Sequence, residues 1–186
     1  MRRHELEHAI RAATTIIRQD QVFIIGSQSI LGSFHEDELP EAATMSDEVD
    51  ICPVHDDDKE SLATELDAAI GEFSRFHETY GFYVQGVGQR TAVLPAGWTD
   101  RLVSISNQNT HNATGLCLEV HDLCAAKLMA NRDKDRIFVS SLIDAGLVQP
   151  KTIADRLGMV NLDRFEGEEL DHYVHNLVSS LEWVRK

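Results

Sequence analysis

Two stretches decide the reading of this chain: VFIIGSQSILGSF over residues 22–34 and DEVDICP over residues 47–53. In the first, the apolar run Val22-Phe23-Ile24-Ile25 leads straight into Gly26-Ser27. A short unbroken apolar run ending in glycine suits a buried strand that turns directly into a helix. That helix is predicted over 27–34. In the second, Val49-Asp50-Ile51-Cys52 predicts another buried strand, stopped by Pro53. Alternation along it puts Glu48 and Asp50 on one face and Val49 on the other. Asp47 then points away from the pair.

These residue types suit one kind of chemistry. Paired carboxylates on one strand face can hold a hard divalent cation, which takes oxygen ligands and keeps its waters until phosphates replace them. A glycine lets the backbone approach a phosphate closely. A serine at a helix start can offer its hydroxyl and backbone amides to phosphate oxygens. Either half alone is common. In this order, on consecutive buried strands joined through a helix, they predict a phosphate and metal site. Gly26 and Ser27 would bind phosphate, and Glu48 and Asp50 would hold Mg²⁺ or Mn²⁺.

Outward from the two strands, the pattern is mixed. Residues 3–18 predict an amphipathic helix with Leu6, Ile10, Ala13, Ile16 and Ile17 on one stripe. Residues 35–46 read as a loop. Asp57 with Glu60 predicts a capping box for a helix over 59–74. Strands are predicted over 82–84, over 91–94 and 101–105 flanking a turn at Pro95-Ala96-Gly97-Trp98, and over 116–120. Helices follow over 121–130, 133–145, after Pro150, and over 163–184. The expectation is an α+β chain: a mixed sheet flanked by helices, with a helical C-terminal portion. Residues 1–120 would form the core, and 121–186 a helical region packed on it as one compact unit.

Composition narrows the setting. Hydrophobic residues make up 42% of the 186, enough for a core without metal or disulfide support. No apolar run approaches a membrane span, and the N-terminus lacks the apolar core and cleavage site of a signal peptide. A cytoplasmic protein with no membrane partner is expected. Cys52, Cys117 and Cys124 read as small buried hydrophobes in a reducing compartment. The formal charge of −14 argues against a broad nucleic-acid platform, while leaving room for a local basic pocket.

Gly26-Ser27 followed by Glu48-Val49-Asp50 resembles the signature of the DNA-polymerase-beta-type nucleotidyltransferases, h-G-[GS] and then [DE]-h-[DE]-h. Residues 122–135 read DLCAAKLMANRDKD. That is similar to a segment, D-L-x-x-x-K-L-x-A-x-R-x-K-D, of the minimal bacterial nucleotidyltransferases related to AbiEii-like toxins. It matches at Asp122, Lys127, Ala130, Arg132, Lys134 and Asp135, and the resemblance spans roughly residues 20–145. It implies the nucleotidyltransferase fold and transfer of a nucleoside monophosphate from an NTP. The acceptor would be an RNA such as tRNA, a protein or a small molecule. A toxin–antitoxin role, with an antitoxin protein as partner, is also implied. The site it implies pairs the catalytic residues Glu48, Asp50 and Lys127 with Gly26, Ser27, Arg132, Lys134 and Asp135 around the nucleotide. Lysine as a point charge and arginine as a fork both suit phosphate, and Asp135 could orient Arg132 or Lys127.

The chain departs from the pattern in one respect. The family supplies a further carboxylate from a later strand, and neither 82–84 nor 102–105 contains an acid. Gln85 stands where one would serve, with Asp100 and Glu119 the nearest substitutes. This leaves a second reading, a catalytically degenerate module that binds nucleotide or protein. Trp98 and Arg101 read as a nucleotide-anchoring pair or, preferably, as a buried Trp closing a turn. Residues beyond 145 carry no motif.

Overall fold

The computed structural model describes residues 1–185. Leu6, Ala9, Ile10, Ala13 and Ile17 line one side of helix α1 (Arg3–Ile17) and are all buried, as its periodicity requires. They pack on a five-stranded sheet of β1 (Gln21–Ile24), β2 (Glu48–Pro53), β3 (Tyr83–Gly86), β4 (Val103–Ile105) and β5 (Thr114–Cys117). The strand order is β3-β2-β1-β5-β4. β1 runs antiparallel to β2 and parallel to β5; β2 and β3 are parallel, and β4 is antiparallel to β5. The sheet is therefore mixed, and the fold is the expected α+β arrangement.

One face of the sheet carries α1 and α3 (Ser61–Ile70). α1 lies so close that a Cβ at Gly115 would stand 2.3 Å from the end of the Ile10 side chain, which would have to repack. Toward the other face lie α5 (Val120–Ala130), α6 (Asp133–Asp144), α7 (Pro150–Leu157) and α8 (Gly167–Val184). α8 ties itself to the end of α5 through polar groups. Asn176 donates to the Met129 carbonyl and Ser180 to the Leu128 carbonyl, each at 2.9 Å. Those bonds satisfy carbonyls that a helix C-terminus leaves without partners. One apolar cluster runs from Leu6 to Val184 through both parts of the chain. All three cysteines are free and buried, and burial pushes the Cys52 and Cys117 thiols up to about 12.

Several elements differ from expectation. Ser27–Gly32 forms a short 3₁₀ helix rather than an α-helix reaching Phe34. The loop at 35–46 contains a 3₁₀ turn (Glu36–Glu38) and the single turn α2 (Glu41–Thr44). The helix expected over 59–74 is shorter: α3 ends at Ile70 with extended Gly71 as its C-cap, and a separate helix α4 (Arg75–Tyr80) starts beyond Phe73 (φ 61°), capped by Ser74. The Asp57–Glu60 capping box is not made. Glu60 is itself the N-cap residue at φ 54°, and Asp56 and Asp57 accept from the amides that follow. Residues 91–94 are not a strand. Pro95 bridges Val160 instead, and Arg164 donates to the carbonyls of Arg90 and Ala92, so this segment is held by the C-terminal part rather than by the sheet. β5 ends at Cys117, leaving Glu119 outside it. Among the described residues no helix is long and apolar enough to cross a membrane.

Candidate active site

β2 presents Glu48 and Asp50 on the face opposite Val49 and Ile51, which are fully buried. The amide of Ile25 donates to the Asp50 carbonyl at 3.2 Å, so β1 ends beside Asp50. Gly26 then crosses directly over that side chain. A Cβ at Gly26 would lie 1.5 Å from Asp50 Oδ2, so any other residue there would force the Asp50 side chain out of its place. The glycine is needed for close approach, and its φ of −94° is ordinary. Burial, and next the charge of Glu48, push the Asp50 carboxyl up to about 6, against the opposing pull of Lys127 and Arg132. Glu48 accepts a 2.7 Å hydrogen bond from the Tyr83 hydroxyl, and the Tyr83 phenol is raised by burial and then by that bond.

The basic half comes from the junction of α5 and α6. Asn131 closes α5 at φ 54°, and Arg132 caps α6, so the helix breaks where the Asn131-Arg132-Asp133 sequence suggests. The break folds α6 back toward Lys127. Lys127 Nζ donates to Ser27 Oγ at 2.7 Å and lies 3.2 Å from Asp135 Oδ1. Its ammonium also stands 5.3 Å from the Phe138 ring centre, a cation–π contact. Asp135 binds Arg132 through both oxygens, at 2.6 and 3.2 Å. It thus orients both cations. Burial raises the Asp135 carboxyl, but the hydrogen bond from Arg132 and the charges of Lys127 and Arg132 outweigh it and hold the group below the usual range.

These residues line one cavity of about 750 Å³. Gly26, Ser27, Glu48, Asp50, Lys127, Arg132, Lys134 and Asp135, all expected at the site, border it. Gln85 borders it too, register-paired with Asp50 on the neighbouring strand. Asp100 and Glu119 do not. Asp100 lies in a 3₁₀ turn, and Glu119 is the N-cap of α5, accepting from the amides of His121 and Asp122. Asp122 also stands apart from the cavity. It is fully buried, bound by Arg101 at 2.7 and 3.0 Å and by Arg156 at 3.0 Å. Arg101 is therefore a structural cation, and Trp98 packs edge-on against Phe23 as a turn-closing aromatic.

Other residues of the site carried no motif in the sequence. Tyr83, which holds Glu48 without itself lining the cavity, lies two residues before Gln85 on β3, so alternation along that strand could have pointed to it. Ala92 and Val93, the Leu123 and Ala126 side of α5, and His172 and Tyr173 of α8 form a largely apolar wall. Met45 and Ile137 line it from elsewhere and are 75% and 61% exposed. Only tertiary packing brings them together.

The donor set bears on a cation. Among the described residues no group of three His, Cys, Asp or Glu side chains is placed to hold one. Glu48 and Asp50 border the cavity from one strand face, and the charge of Glu48 contributes to the raised Asp50 value. A divalent ion would relieve that repulsion, and magnesium sites commonly use one or two protein carboxylates with substrate phosphates completing the shell. The residues present fit such an ion.

Residues 4–167 match the model of a family described as a nucleotidyltransferase of unknown function (DUF6036). No curated protein and no solved structure matches the chain.

Proposed function

Since the chain belongs to this nucleotidyltransferase family, we propose that it is a metal-dependent enzyme moving a nucleoside monophosphate from an NTP to a hydroxyl acceptor. One observation carries the reading. Gly26, Ser27, Glu48 and Asp50 line the same cavity as Lys127, Arg132 and Asp135, from opposite halves of the chain. The fold is read as that of the polymerase-beta-type superfamily.

In this reading Glu48 and Asp50 hold Mg²⁺ or Mn²⁺. Such an ion supplies Lewis-acid stabilisation of charge on the transferring phosphate. Gly26 lets the backbone lie against the phosphates. Ser27 accepts from Lys127, which leaves its own O–H to donate to a phosphate oxygen. Lys127 and Arg132 compensate the triphosphate charge, fixed in place by Asp135 before substrate arrives. Pre-set charges of this kind cost no reorganisation when the reaction occurs. Arg132, 58% exposed on its side chain, and exposed Lys134 reach the outer part of the chain of phosphates. The nucleoside lies along the apolar wall of Ala92, Val93, Leu123, Ala126 and Tyr173.

The acceptor is read as an RNA, tRNA included, a protein or a small molecule. A toxin role opposed by an antitoxin protein rests on the resemblance of the 122–135 segment alone. Neutral Gln85 beside Asp50 supports a second reading, a degenerate module that binds nucleotide without transferring it. Incubation with each labelled NTP, Mg²⁺ and total RNA or protein separates the two. Label transfer that Glu48→Ala abolishes is expected. Nucleotide binding without transfer, unchanged in Glu48→Ala and indifferent to metal, would favour the degenerate module.

A further inference from the structure

The two site strands present four polar side chains as two neighbouring pairs. In the parallel β2–β3 ladder Glu48 pairs with Tyr83, and Asp50 with Gln85. Residues two apart on a strand share a face, so all four lie on the cavity side, while Val49, Ile51 and Val84 are buried on the other. The two carboxylates are fixed by different means. Asp50 is hemmed in by the backbone of Gly26. Glu48 has one more rotatable bond, and its tie is the hydrogen bond from Tyr83 to Oε2.

The Tyr83 ring is itself held. The His77 ring lies 4.8 Å from it, and His77 Nδ1 accepts from the Phe73 amide at 3.2 Å. Phe73, 81% exposed, sits at φ 61° to make that turn. A bulky aromatic residue in the left-handed region is uncommon and strained, and persists where surrounding structure determines it. The connection between α3 and α4 thus places His77 behind Tyr83, and Tyr83 beside Glu48.

We propose that Tyr83 is the positioning residue for Glu48, engaging one carboxylate oxygen so that the other faces the cation and the phosphates. This rests on the reading that Glu48 and Asp50 hold a divalent ion. It also explains a glutamate at position 48, since a side chain one methylene shorter would leave the hydroxyl without its acceptor. Groups that orient metal ligands typically change affinity or activity 10–100-fold, roughly, when removed.

The test is Mn²⁺ titration of the full chain, followed by electron paramagnetic resonance of the free ion. Wild type, Tyr83→Phe, Glu48→Asp and the double variant are compared, with Asp50→Asn as the control. Tyr83→Phe should weaken Mn²⁺ binding about tenfold and raise the Mg²⁺ requirement for transfer in step, with the NTP KM at saturating metal unchanged. Glu48→Asp should show a similar loss, and Tyr83→Phe should add nothing to it, as expected for two groups acting through one bond. Wild-type Mn²⁺ affinity in Tyr83→Phe, or a lower Tm at unchanged affinity, would overturn the proposal while leaving the metal reading intact. No Mn²⁺ binding by wild type, or binding that Asp50→Asn leaves untouched, would overturn both.

Discussion

The segment 122–135 contains two buried aspartates, and each binds two cations. Asp122 is fully buried and Asp135 is 1% exposed. Asp122 takes Arg101 and Arg156, whose side chains are 20% and 22% exposed, and it links the 98–101 turn, α5 and α7. Asp135 takes Lys127 and Arg132, at 12% and 58%, and this cluster lines the cavity. The chemistry is alike, but the surroundings are not. The first cluster ties elements together away from the cavity. The second keeps its cations where an anion can reach them. Neighbouring positions of one motif therefore divide between holding the fold and serving the site.

That contrast can be broken experimentally. The largest stability effect should come from Asp122→Ala, which strands two arginines; removing one partner of a buried ionic cluster costs about 3–5 kcal/mol. Urea unfolding should show that loss, and the folded fraction should retain its NTP affinity. Lys127→Ala should do the reverse. A transfer rate lower by about 10²–10³-fold is expected, as for other pre-set charge stabilisers, with a smaller drop in urea midpoint than Asp122→Ala because Arg132 stays on Asp135. If Asp122→Ala removed activity without stability, or Lys127→Ala the opposite, the division between the clusters would be wrong.

A smaller effect tests the carboxylates. In the metal-free chain Asp50→Asn should raise stability at neutral pH, by about 1–2 kcal/mol once the shift is discounted for partial exposure. The sign follows from linkage. The folded Asp50 carboxyl is raised from 3.8 to about 6, so the folded state holds this proton more tightly than the unfolded chain does. Below 3.8 both states are protonated and the variant gains nothing. The gain grows between 3.8 and about 6 and is complete above it. Denaturation across pH 3.5 to 8 would measure it, and a flat difference would argue against a crowded carboxylate pair. The smallest effect is expected at Arg132, the most exposed of the four cations. Arg132→Ala should raise the NTP KM several-fold, roughly, with a stability loss well below that of Asp122→Ala because Lys127 stays on Asp135.

Much of the architecture could be read along the chain. The run Val22–Ile25 is buried, and β1 and β2 stand where their apolar patterns put them. The Gly26-Ser27 and Glu48/Asp50 pairs are side by side because glycine permits the contact and strand alternation sets the face. The break at Asn131 was also legible. The strand expected over 91–94 was not formed, because Pro95 and the Arg164 contacts bind that segment to the C-terminal part. The helix expected over 59–74 stops at Ile70, where Gly71 leaves the helical conformation for an extended one. Glu119 became a helix cap because β5 stops short of it, a boundary that apolar pattern alone does not fix.

By itself, then, the sequence determined a set of local choices: that the runs at 22–25 and 49–52 are strands, that glycine suits position 26, and which face of β2 bears the acids. Those follow from sterics and from a period of two or 3.6 residues, which act over neighbours. Tertiary structure alone decided that Lys127 would reach Ser27, 100 residues away, and that Asp135 would orient the cations while Asp122 was sealed. It also set Tyr83 against Glu48. These depend on how the helices of the second half dock and on how β2 and β3 register. Such docking and register minimise buried, unpaired charge across the whole molecule, and no local pattern encodes that balance.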